Sequence, residues 1–170
     1  MSSNRRKDGM SYIRNFTFGV EDGLVSTVGL LSGIAIAEVG RETIFLTGAV
    51  LVFVEAFSMA VGSLLAEQSA EEYEFQKEIS MKKSLLGGVV MFFSYLLSGA
   101  IPLLPYLFLP TSTALLCSIG LSLVALLTLG VIDARISHIP VIKNSFRILL
   151  LGGIAIAIGI SIGRITSTYF

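Results

Sequence analysis

The stretch FGVEDGLVSTVGLLSGIAIAE, Phe18 to Glu38, decides the fold. It has the length of one membrane crossing, since about 20 apolar residues rising 1.5 Å each match a hydrocarbon core of ~30 Å. Yet Glu21 and Asp22 stand side by side in its first turns. Two readings compete. The acids cap a helix end at headgroup level, where carboxylates favour an N-terminus. Or they belong to a site inside the membrane, where each ionisable group costs about 2.5–3.5 kcal/mol and therefore marks function.

The rest of the chain supplies the solvent. Its 170 residues are 54% hydrophobic and only 14% charged, with a mean hydropathy of +0.83. A soluble domain carries about 25% charged residues. Here the charges cluster between long apolar runs, the pattern of an all-α integral membrane protein. Segments 18–38, 43–66, 84–108, 112–132 and 145–163 are each long enough to cross, giving five transmembrane helices. The expected organisation is a basic arm at 1–17, a first helix pair within 18–66 and an acidic helical connection at 67–83. Helices three to five follow within 84–163, and then a tail at 164–170. Pro102 and Pro105 in GAIPLLPYLF predict a kinked or broken end to the third span.

Orientation follows from Lys and Arg. Arg5, Arg6, Lys7, Arg14, Lys77, Lys82, Lys83, Arg135, Lys143 and Arg147 fall on one side, against Arg41 and Arg164 on the other. The N-terminus is expected in the cytoplasm and the C-terminus outside or in a lumen. The host is then a plasma membrane in a prokaryote, or a vacuolar or other organelle membrane in a eukaryote. A net charge of zero gives no reason to expect a nucleic-acid partner. No cleavable leader is expected, because the first apolar segment is a full span containing acids. Cys117, the single cysteine, lies in an apolar run and reads as a buried thiol. His138 reads as a surface residue of the loop DARISHIPVIKN. No Ser–His–Asp set, HExxH or phosphate loop is present, so the chain is not expected to be an enzyme, and no prosthetic group is implied.

The deepest acid is Glu55, in VLVFVEAFSMAVGS, too far from either end for its short side chain to reach water. With the turn between the first two spans centred near Gly40, Asp22 comes level with Met59, and Ser26 with Glu55. Asp22 and Ser26 share a helix face, as do Glu55 and Met59. If the two faces meet, carboxylate oxygens and a thioether line one pocket, a donor set tilted towards first-row transition ions such as Fe²⁺. The metal candidates are therefore Asp22, Glu55, Met59, Glu21 and Ser26. A second acidic stripe, Glu67, Glu71, Glu74 and Glu78, follows at helical spacing with Glu72 beside it. It reads either as cytoplasmic metal capture or as a solvated helix face with pairs such as Glu78 and Lys82.

These residues carry a resemblance. FGVEDGLVST is similar to the first-helix signature of the vacuolar iron transporter family, and SMAVGS, Ser58 to Ser63, to its second-helix signature. GAIPLLPYLF, Gly99 to Phe108, and FRILLLGGIAIAIGISIGR resemble its third and last helices. The resemblance implies a homodimer of five-helix protomers that moves Fe²⁺ or Mn²⁺ out of the cytosol in exchange for protons. Asp22 and Met59 match pathway residues of that family, and Glu72 an acid beyond the second signature. Ser63 departs from it, standing where the family has a glutamate, while Glu55 stands where the family has a small residue. The long cytoplasmic insertion of many relatives is absent between helices two and three. A chain that kept this fold as a non-transporting scaffold or metal sensor is the alternative.

Overall fold

The computed structural model describes residues 2–77 and 81–169, with side chains from residue 9 onward except at 82 and 83. Glu78 of the acidic stripe lies outside them. Six helices follow in order: α1 (Ser2–Ile36), α2 (Arg41–Phe75), α3 (Met81–Leu103), α4 (Pro105–Phe108), α5 (Thr111–Ser137) and α6 (Val141–Tyr169). Five of them, all but the single turn α4, are long and apolar enough to cross a membrane. The residues read as an arm, 2–17, are the opening turns of α1 and continue into the span without a break. The connection at 67–83 begins as the last turns of α2, which end at Gln76 in the left-handed conformation.

Proline and left-handed residues punctuate the chain. Pro105 opens α4, and Pro110 is the N-cap of α5, where a missing N–H costs nothing. Pro102 lies inside the last turn of α3, and its carbonyl, left over by the break, accepts the Ser118 hydroxyl at 2.7 Å. Glu38 and His138 close α1 and α5 with φ of 59° and 55°. His138 is exposed and serves as a C-cap, its N–H reaching the Ala134 carbonyl.

The side-chain distribution is that of a bundle in lipid. The large apolar groups Phe53, Phe57, Phe93, Leu97 and Leu116 point outward, while Thr27, Ser32, Ser94, Ser98, Ser118 and Ser122 are buried between helices. Small residues allow close approach where no hydrophobic effect drives helices together. α1 is the central element, flanked by α3 and α6. Its glycines serve the two sides in turn. A Cβ on Gly23 would stand 2.7 Å from the Tyr95 carbonyl of α3. A Cβ on Gly33 would stand 2.7 Å from the Gly159 carbonyl of α6. The stripe Gly29–Gly33 is thus used inside the protomer, backbone against backbone, with Gly159 and Gly163. α2 buries Ile44, Gly48, Val52 and Ala56, one residue per turn, and turns the rest outward. It touches α3 more than it touches its hairpin partner α1.

Candidate functional site

Two hydrogen bonds fix the register between α1 and α2. Ser11 donates to Glu67 Oε1 at 2.6 Å, and Ser63 donates to Asn15 Oδ1 at 2.9 Å. Four residues up one helix match four down the other, as antiparallel helices require. Continuing that step sets Gly19 level with Met59 and Gly23 with Glu55. Asp22 is therefore level with Glu55, and Met59 lies one turn nearer the N-terminal end. The count from Gly40 had paired Asp22 with Met59 and Ser26 with Glu55. The helix ends at Ile36 and resumes at Arg41, so the turn is centred before Gly40 and the pairing slides by nearly one turn.

The two carboxylates, both partly buried, lie within electrostatic range of each other, and both act on the hydroxyl of Tyr95. Tyr95 of α3 is fully buried. Its hydroxyl stands 2.6 Å from Ser26 Oγ, and Ser26 spends its only proton on the Asp22 carbonyl at 2.7 Å. Tyr95 is consequently the donor of that shared bond. The layer thus consists of Asp22 and Ser26 from α1, Glu55 from α2 and Tyr95 from α3. Asp22 and Ser26 also border a groove of about 690 Å³ that runs between α1 and α6 to Ala37 and Thr166.

Met59 lines a different cavity, of about 870 Å³, with Met10, Met91, Ser63, Glu67, Glu71 and Glu74. Three acids of the predicted stripe therefore share one vestibule, more than three helical turns along α2 from Glu55. Glu72 is turned aside and accepts from Gln68 at 3.0 Å. Among the described residues, no three His, Cys, Asp or Glu side chains cluster closely enough to hold a metal by themselves. Any ion in the Asp22 layer would be held by two carboxylates supplemented by hydroxyl or water.

Glu21 diverges from its neighbour, because successive helical residues point about 100° apart. It borders a pocket with Arg14, Asp133 and Arg147, and the charges acting on it are, in order, Arg147, Asp133 and Asp22. Asn144 ties the same region together, donating to Asp133 Oδ2 at 2.9 Å and to the Gly130 carbonyl at 3.0 Å. Glu21 thus faces α5 and α6 in a group of balanced charge, away from Glu55.

The resemblance read from the sequence agrees with the family comparison. The model of the VIT family matches residues 13–86 and 71–164. The chain belongs to the VIT family. Among curated relatives of this VIT chain, vacuolar iron transporter homolog 2 of Arabidopsis thaliana is 23% identical over 93% of this chain and 86% of the relative. Vacuolar iron transporter homolog 3 of the same plant is 26% identical over 86% and 79%. Vacuolar iron transporter 1 of Oryza sativa subsp. japonica is 31% identical over 51% and 35%. Sequence reasoning missed Tyr95 and Asn15 in this VIT chain. Tyr95 is one aromatic within MFFSYLLSG, and Asn15 was assigned to an arm outside the membrane.

Proposed function

We propose that the chain is a divalent transition-metal transporter, carrying Fe²⁺ or Mn²⁺ out of the cytosol in exchange for protons, and that it works as a homodimer. The observation that carries this reading is the carboxylate pair Asp22 and Glu55, level with each other on two helices of the membrane-spanning part. Family membership supports it, as do the relatives named as vacuolar iron transporters. The excess of Lys and Arg at the N-terminal end supports the direction.

The chemistry follows from charge balance. Two ionised carboxylates are neutralised by one divalent cation or by two protons, and low-dielectric surroundings penalise any other occupancy. An ion entering through the vestibule passes the Met59 thioether, exchanges water for the oxygens of Asp22 and Glu55, and leaves when protons replace it. Ser26 and Tyr95 hold the Asp22 turn in place during the exchange. Proteoliposomes loaded with a pH dye test the scheme: Fe²⁺ or Mn²⁺ on one side should drive proton movement, and Asp22→Ala and Glu55→Ala should each abolish it. Parental transport of both ions by both variants would remove these residues from the path.

A further inference from the structure

The vestibule has a floor where α1, α2 and α3 meet, and two polar atoms there have no hydrogen-bond partner among the described residues. Glu67 Oε1 accepts from Ser11 and Asn15 Oδ1 accepts from Ser63, which anchors one end of each side chain. Among the described residues, nothing hydrogen-bonds the other ends, the buried Glu67 Oε2 and Asn15 Nδ2. Asn15 is only 2% exposed. Both orphan atoms converge on the backbone of α3 at Gly87, where a Cβ would stand 2.7 Å from each. Glycine keeps that point open.

A buried carboxylate oxygen without a partner is costly, and proteins retain such a group where something binds it. We infer that Glu67 and Asn15 form a divalent-cation site at the floor of this vestibule, a loading station ahead of the membrane layer. The two ends of an amide are nearly equal in shape. Turning Asn15 about its last torsion lets Nδ2 donate to Ser63 Oγ and brings Oδ1 beside Glu67 Oε2. The site then offers one charged and one neutral oxygen to a partly hydrated ion, with the Ser11 and Ser63 hydroxyls next to them. Oxygen ligands of this kind suit Mn²⁺ and similar hard or borderline ions. A single carboxylate holds the ion loosely, as a station that must release its cargo requires. Among the described residues, Glu67 is singled out from Glu71 and Glu74, which line the same cavity, by its buried oxygen without a hydrogen bond. From Asn15 to Asp22 is seven residues of α1, a step of about 10 Å.

The purpose of this station rests on the transport reading, but its existence is tested by binding alone. The full chain in phosphatidylcholine nanodiscs, carrying Asp22→Asn and Glu55→Gln to silence the deeper layer, is titrated with Mn²⁺ while free Mn²⁺ is followed by electron paramagnetic resonance. We expect one ion to bind per chain. Glu67→Gln should weaken it at least about tenfold, and Gly87→Ala should weaken it by closing the convergence point. Asn15→Asp, isosteric but charged, should tighten it. A purely structural polar contact predicts no tightening. Unchanged or weaker Mn²⁺ binding in Asn15→Asp overturns the inference, as does unchanged binding in a Glu67→Gln protein that elutes like its parent. If instead the Asp22→Asn, Glu55→Gln protein transports normally, the membrane path is wrong and the loading site is unaffected.

Discussion

Tyr95 gives the acidic layer its third wall. Its hydroxyl proton goes to Ser26, and the Ser26 proton goes to the Asp22 carbonyl, so a chain of two bonds runs from α3 to the backbone of the acid. Removing the hydroxyl loses one buried bond, worth about 0.5–1.5 kcal/mol, while the ring still fills its space. Tyr95→Phe should therefore fold normally and show a several-fold higher KM for metal uptake in proteoliposomes, and Ser26→Ala should resemble it. An unchanged KM in both would leave Tyr95 as packing only. The sequence carried part of this layer. Glu55 and Asp22 were visible as charges among apolar residues, because ionised groups in lipid have few innocent explanations. Tyr95 was not, because a tyrosine in an apolar run is ordinary, and only the meeting of α1 and α3 at Gly23 shows what its hydroxyl reaches.

At the scale of helices, the first hairpin shows why depth was harder to read than topology. Five spans and their order follow from apolar length. The level at which two side chains meet depends on where the turn lies, and an error of one or two residues there doubles across the hairpin. Glu38 ends α1 in a left-handed conformation that glycine usually supplies, so nothing in the local sequence marks the stop. The glycine stripe was legible as a close-packing surface, but its partner was not. Gly33 meets Gly159 within the same chain, leaving no room for a side chain between α1 and α6. Gly33→Leu should destabilise the protein by about 1–3 kcal/mol through overpacking. It should lower the thermal midpoint of the detergent-solubilised chain, whereas Gly153→Leu, with open space around it, should not.

For the whole molecule, the five spans place residue 40 at one end of the bundle and residue 77 at the other. The basic residues predict which end is cytoplasmic. With Cys117, the sole cysteine, changed to Ser, Gly40→Cys should react with a membrane-impermeant maleimide on intact cells. Lys77→Cys should react only after permeabilisation. The reverse pattern would invert the direction of transport.

The separate anchoring of α1 and α2 has a further consequence. Asp22 and Glu55 sit on opposite banks of a seam whose helices each hold to α3 more than to each other. Their separation is set by how each helix sits on α3 and by the Ser11–Glu67 and Ser63–Asn15 bonds, with no side chain among the described residues spanning the gap itself. On the transport reading, two carboxylates completed by water make a poor ruler for ionic radius. Discrimination then falls to the work of stripping water and to ligand preference, which vary gradually across the first-row divalent ions. Competition assays should find Mn²⁺, Fe²⁺ and Co²⁺ displacing one another at similar concentrations, with Mg²⁺, which dehydrates reluctantly, far behind.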